Sequence, residues 1–276
     1  MRRLFVHILL FALTVGSTVF VGGTWYCISI MTILLAHELG HFFVSRYYHV
    51  PSSLPFFIPF PNLFGTLGAV ILMGGRIRSR KALFDIGAAG PLVGFCLTIP
   101  AIIGGLKLSH PVQVEAVEGS SFQLGNSLLF SFLERVILGE TPEGTDILLH
   151  PLAFAGWVGL FVTALNLMPI GQLDGGHIAY AVFGRKSRLV FLLAAVGFGT
   201  LGLFFFPPWL LPLLLILVFG FRHPPPSDDQ TELDGRRKLL AVFTFAVFVV
   251  SFFPVPLPDF RMNLVFLIGR AISGSP

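Results

Sequence analysis

The sequence predicts an all-α polytopic membrane protein of about six to seven transmembrane helices, with a short membrane-associated β-like segment between the second and third. Three observations carry that prediction: an apolar composition, a succession of hydrophobic runs of crossing length, and basic residues gathered in alternate loops. Of 276 residues, 54% are hydrophobic and 12% charged, and the mean hydropathy is +0.84. A soluble domain of this size has too little polar surface to cover so much apolar side chain. The net charge of +4 does not call for a nucleic-acid partner, because basic residues accumulate in the cytoplasmic loops of membrane proteins. Cys27 and Cys96 lie in apolar stretches and read as small packing residues, so neither a disulfide framework nor a cysteine zinc site is on offer.

Allowing ~20 apolar residues per crossing, seven spans can be drawn, at roughly 4–21, 25–45, 85–106, 152–171, 189–206, 208–221 and 239–254. The first follows Arg2-Arg3 and resembles a signal peptide, but its apolar run continues to Val21 and reads as a retained helix. Residues 189–221 taken as one helix would be ~50 Å long. Pro207-Pro208 breaks that run into a hairpin. Its two ends are both basic, with Arg185, Lys186 and Arg188 before it and Arg222, Arg236, Arg237 and Lys238 after it. That places both ends in the cytoplasm. Arg2-Arg3, Arg46 and the group Arg76, Arg78, Arg80 and Lys81 fall on the same side, while the Gly22-Gly23 turn falls outside.

Residues 107–150 also fall outside; there Glu115, Glu118, Glu134, Glu140, Glu143 and Asp146 oppose only Lys107 and Arg135. Within that loop, residues 127–138 form a run too short to span, either a helix on the outer membrane surface or one packed on the loops. Residues 223–238 read as a short disordered linker. The chain divides into a first transmembrane helix (1–23), a core (24–185), and C-terminal transmembrane helices with a tail (186–276).

His37-Glu38-Leu39-Gly40-His41 interrupts the apolar second span. Spacing of i and i+4 puts both imidazoles on one helical face about a turn apart, as two ligands of one zinc ion require. Glu38 is placed beside such an ion as a general base without being a ligand. Burying three ionisable residues in a span costs several kcal/mol unless they are paired or functional.

A catalytic zinc site takes a third protein ligand and keeps one position open. His37 precedes Arg46 by nine residues, so the motif sits ~13 Å above the cytoplasmic end of its helix. Asp174 follows the span that enters from outside at His150-Pro151 and precedes Arg185-Lys186, which brings it to the same side. Asp85 reads as an N-cap or interface charge, and Asp146 and Asp259 fall outside, so Asp174 is the third candidate ligand. The surrounding stretch carries Pro169, Gly171, Gly175 and Gly176. It cannot be a straight helix, and irregular backbone at membrane depth is tolerated where it lines a cavity. Asn166 could donate to a polarised carbonyl, hold substrate backbone, or bond another helix. His177 reads as a partner of Asp174 or an interfacial residue, not a ligand.

The motif His37-Glu38-Leu39-Gly40-His41 on a span, with Asn166-x-x-Pro169-x-x-x-Leu173-Asp174-Gly175 later in the chain, resembles the site-2 protease family of intramembrane zinc metalloproteases. The run Phe84-Asp85-Ile86-Gly87-Ala88-Ala89-Gly90-Pro91 is similar to the bacterial and plastid branch of that family. The resemblance covers about residues 24–185. It implies one Zn²⁺ per chain held by His37, His41 and Asp174, with Glu38 as general base and acid and Asn166 as a substrate or oxyanion contact. It also implies transmembrane helices of other proteins as substrates, cut in or near the lipid bilayer, and a cell inner membrane setting with the active site towards the cytoplasm.

Between the second and third spans, residues 54–62 and 65–72 are apolar but punctuated by Pro and Gly. They read either as membrane-dipping strands whose open edge could pair with an extended substrate or as an interfacial loop. No PDZ-like or CBS-like regulatory domain fits. Two other functions compete: a catalytically silent relative serving as chaperone or scaffold, which has no use for Glu38, and another metal chemistry. A desaturase needs several histidine boxes and a transporter needs ligands on several spans; neither pattern is present.

Overall fold

The computed structural model describes residues 2–113, 123–140, 142, 144–219 and 224–258. Helix α1 (Arg2–Tyr47) carries both of the first two predicted spans and is interrupted at Gly23, whose φ of 72° and ψ of −172° are not helical. Gly23 turns the chain back on itself. Cys27 Sγ lies 3.7 Å from the Val15 carbonyl oxygen, where the intervening stretch of straight helix would hold them ~18 Å apart. Hydroxyls buried in this hairpin are satisfied inside it: Thr14 donates to the Leu10 carbonyl at 2.8 Å and Thr18 to that of Thr14 at 2.7 Å. That is the way a polar side chain is carried in hydrocarbon.

Strands β1 (Phe56–Pro59) and β2 (Thr66–Val70) pair antiparallel, with Phe56 opposite Val70 and Pro59 opposite Thr66. Strand pairing, not a plain loop, is therefore the outcome for this segment. Its tip is seated in the bend of α1: Tyr26 donates to the Phe64 carbonyl at 2.8 Å and Ser17 to the Gly65 carbonyl at 2.6 Å. Gly65 has a φ of +72°, and a Cβ there would come within 2.8 Å of the Ser17 carbonyl oxygen. Both the conformation and the close approach require glycine.

Helix α2 (Arg80–Leu108) starts earlier than predicted because Ser79 accepts from the Ala82 N–H as N-cap. Asp85 is consequently not a cap; it lies one turn in and pairs with Arg237. α2 is followed by β3 (His110–Gln113), α3 (Leu128–Leu138), β4 (Thr145–Leu148) and α4 (Pro151–Leu167). The β3–β4 ladder, with His110 opposite Leu148, was not legible in the sequence. Glu115, Glu118 and Glu143 of this outer loop lie outside the described residues. In α3, Phe130 is buried in the core while Leu128, Phe132 and Val136 stand exposed in a line at i, i+4 and i+8. α2 and α4 cross closely: a Cβ on Gly156 would lie 2.9 Å from the Ile102 nitrogen, and one on Gly105 2.7 Å from the Ala153 methyl. Small residues at such crossings let helix backbones approach.

α4 stops at Leu167, short of the predicted 171, because Pro169 cannot continue it. The chain then resumes as α5 (Asp174–Phe183), bends at Gly184–Lys186, and continues as α6 (Ser187–Phe204). A turn at Pro207–Trp209 leads to α7 (Leu210–Phe219). A Cβ on Gly202 would meet the Leu210 nitrogen at 2.9 Å, so α6 and α7 fold against each other as a hairpin. Residues 220 and 221 of that predicted span lie outside the described residues.

The linker before α8 (Gly235–Ser251) is a correction. Residues 224–234 are ordered, not disordered: the N–H groups of Ser227 and Asp228 donate to the Ile77 and Arg78 carbonyls at 2.9 and 2.8 Å, and Leu233 is buried. Backbone pairing and one apolar anchor outweigh the polar composition. Among the described residues, three stretches of helix are long and apolar enough to cross a membrane, Leu4–Tyr47, Arg80–Leu108 and Asp174–Phe204, with Pro151–Leu167 a shorter apolar helix. Their outward faces expose large side chains such as Phe5, Val93 and Leu193, and Phe20 is 92% exposed. Lipid tails, not water, are the solvent such faces suit.

Candidate metal centre

The second half of α1 brings His37, Glu38 and His41 into the interior, where all three are buried. His41 Nδ1 lies 2.8 Å from the Ile86 carbonyl oxygen of α2. Donation there fixes the proton on Nδ1 and leaves the Nε2 lone pair free for a metal. Asp174, the first residue of α5, turns its carboxylate to the same point from the opposite side. His41 Nε2 and His37 Nε2 are 3.1 Å apart, and Asp174 Oδ2 is 3.4 Å from His37 Nε2 and 3.2 Å from His41 Nε2.

Among the described residues, these three form the group able to hold a metal ion. A tetrahedral zinc with bonds of ~2.0–2.1 Å needs ligand atoms ~3.3 Å apart, and two imidazoles with one carboxylate is a donor set zinc accepts. The triangle fits on both counts. Glu38 Oε1 stands 4.0 Å from His37 Nε2, and the backbone N–H of Ile71, just beyond β2, faces the Glu38 carboxylate. Asn166, in the last turn of α4, places Nδ2 3.3 Å from His37 Nε2. His177 packs against α2, where a Cβ on Gly87 would come within 3.0 Å of its own Cβ.

Local sequence explains how Asp174 gets there. α4 ends at the Met168-Pro169 step, Gly171 takes a φ of +48°, and α5 begins with its first turn folded against the end of α4. A side chain at Gly175 or Gly176 would run into the carbonyls of Met168 or Ile170. The two glycines after the aspartate are therefore what let α5 start so close to α4.

Three glycines line the site in a role that their sequence does not disclose. Gly87, Gly90 and Gly94 occupy one face of α2 at i, i+3 and i+7, and that face lies against the metal centre. A Cβ on Gly94 would meet His37 Nδ1 at 3.3 Å, one on Gly90 would overlap the His41 ring, and one on Gly87 would meet the Asp174 carbonyl at 3.3 Å. From the other side, a Cβ on Gly40 would lie 2.8 Å from the Ala89 carbonyl oxygen. The helical spacing of these glycines was the available signal; which helix they faced was not.

The family profile described as Peptidase family M50 matches residues 25–204. The chain is 35% identical over 238 residues to the protein named Probable zinc metalloprotease EGY1, chloroplastic, of Oryza sativa subsp. japonica, covering 83% of this chain and 40% of that protein. It is 34% identical over 234 residues to the protein of the same name from Arabidopsis thaliana, covering 82% of this chain and 42% of that one. The chain thus spans about two fifths of the length of these curated relatives. Among solved structures, the Site-2 Protease from Methanocaldococcus jannaschii matches at 18% identity and a TM-score of 0.35, over 90% of this chain and 86% of that one. With the profile running from the second half of α1 through α6 and taking in all five candidate site residues, the chain belongs to peptidase family M50.

Proposed function

We propose that this chain is an intramembrane zinc metalloprotease that hydrolyses a peptide bond in or near a transmembrane segment of a membrane-protein substrate. The observation that supports it most is the near-equilateral triangle of His37 Nε2, His41 Nε2 and Asp174 Oδ2, with edges of 3.1–3.4 Å. These three residues hold one zinc ion per chain. Zinc bound there would supply Lewis acidity for the hydrolysis.

Glu38 takes the proton of the attacking water and delivers it to the leaving amine as the carbon–nitrogen bond breaks. Asn166 donates from Nδ2 to the substrate carbonyl as charge develops on its oxygen. An extended substrate lies along β2, which has no strand partner other than β1 among the described residues. Pairing on a sheet edge would deliver a peptide backbone next to Glu38, on the side where Ile71 already faces it. The metal centre lies towards the side of the basic loops. The bilayer is the cell inner membrane or, given the chloroplastic names of the relatives, a plastid membrane.

Glu38→Gln tests this reading. The variant keeps its zinc and loses cleavage of a co-expressed transmembrane substrate; full cleavage would remove Glu38 as the base.

A further inference from the structure

We infer that Arg237, on α8 and beyond the residues matched by the M50 profile, is a positioning residue for the metal centre. It acts through Asp85 and the Ile86 carbonyl on His41. The inference rests on the reading of His41 as a zinc ligand.

Asp85 is held by hydrogen bonds from two other elements. Tyr48 donates its hydroxyl to Oδ2 at 2.5 Å, Arg237 Nε donates to Oδ1 at 2.9 Å, and Arg237 Nη2 donates to Oδ2 at 2.6 Å. The two guanidinium contacts form the two-pronged arginine–carboxylate arrangement, which fixes orientation as well as distance. Arg237 is itself aimed by Asp234. Oδ1 of Asp234 accepts the Arg237 backbone N–H at 3.1 Å, capping α8, and Oδ2 accepts from Nη1.

The clasp bears on the metal centre because of where its members stand. Asp85 immediately precedes Ile86, whose carbonyl accepts from His41 Nδ1 at 2.8 Å. Tyr48 follows His41 by seven residues, about two helical turns. The metal-bearing half of α1 is therefore fastened to α2 at two points, His41 to Ile86 within the helix and Tyr48 to Asp85 directly after its last residue. Arg237 completes the second fastening from a third helix.

Asp85 and Arg237 are only 21% and 28% exposed. Removing the arginine leaves a half-buried carboxylate without its counter-charge. Such a group turns towards water, and the turn of α2 that it belongs to carries the Ile86 carbonyl with it. Loss of the group that orients a ligating histidine costs ~10–100-fold in metal affinity. With one further link in this chain of contacts, the lower end of that range is the expectation.

The experiment uses the full chain in detergent, with zinc affinity read by competition against a chromophoric chelator. The absorption bands of the cobalt-substituted protein report ligand geometry. Arg237→Ala and Asp85→Asn each bind zinc about tenfold more weakly and change the cobalt bands. The double variant is no worse than either alone, because both cut the same path. Arg236→Ala, at an exposed neighbour, binds as the parent does. If Arg237→Ala does not fold, Arg237→Lys carries the test with the same readouts, since it keeps the charge and loses the fork. Parental zinc affinity and cobalt bands in these variants, even with a lowered Tm, overturn the inference and leave the clasp as a fastening for α8 alone. A parent chain that binds no zinc overturns the metal reading itself, and this inference with it.

Discussion

Gly90→Ala adds one methyl group where α2 meets the metal centre. Built on the existing backbone, that carbon lies 2.6 Å from His41 Cε1 and closer still to Nε2 and Cδ2. Carbon atoms in contact sit ~3.5–4.0 Å apart, so something must give by about 1 Å. α2 has little freedom to retreat. Its Gly87 already faces His177 and the Asp174 carbonyl, and its Gly105 is seated on Ala153. The imidazole moves instead, away from Ile86 or away from the point it shares with His37 and Asp174. A misplacement of ~1 Å in a reacting constellation costs about 10²-fold in rate, and overpacking costs ~1–3 kcal/mol of stability. Helix propensity pulls the other way by ~0.8–1.0 kcal/mol, since alanine is the better helix former. A loss therefore reports the collision and not the helix.

The assay is cleavage of a co-expressed transmembrane reporter together with the zinc content of the purified variant. Gly197→Ala serves as the control, because its added methyl meets nothing within 4 Å. Cleavage by Gly90→Ala falls about 100-fold while Gly197→Ala stays at the parental level. Parental cleavage and zinc in Gly90→Ala would refute the argument that the glycine face of α2 sets the position of His41.

Two further outcomes are expected. Asn166→Ala keeps its zinc and lowers kcat by about 10²–10³-fold, the usual cost of losing one donor to a developing oxyanion; an unchanged kcat would leave Asn166 as a helix-packing residue. Burial and the nearby Asp146 push the Glu134 carboxyl above its ordinary 4.5. The folded chain then holds more protons than the unfolded one above pH 4.5, so this residue's contribution to stability falls as pH rises through its folded pKa. Glu134→Gln raises the Tm at neutral pH, and the gain disappears below pH 4.5. A gain that persists in acid would trace to packing and not to charge.

Much of this molecule is legible in its sequence, because hydrocarbon imposes strong rules. Apolar runs of crossing length, the prolines at 169 and 207–208, and the glycines at 22 and 23 mark the helices and their breaks. The juxtaposition of Asp174 with His37 and His41 is legible too, since alternating basic loops bring two distant segments to one depth. What the sequence does not disclose is which faces of these helices meet. The spacing of Gly87, Gly90 and Gly94 signals a close crossing, yet only the folded chain puts His41 and His37 against it. The pairing of Asp85 with Arg237 joins residues 152 positions apart, and nothing in the run around Asp85 points to Arg237 as its partner. The ordered stretch before α8 misleads for a different reason. Its prolines and acids look like a linker, while its backbone bonds to Ile77 and Arg78 leave no trace in composition.

Zinc content measured on the purified full chain is the decisive test of whether His37, His41 and Asp174 together hold a single zinc ion. This ligand set requires one zinc per parent chain and its loss in Asp174→Ala, because two imidazoles on one helix leave the ion without the third protein ligand. Full zinc retention in Asp174→Ala, or none in the parent, would contradict it.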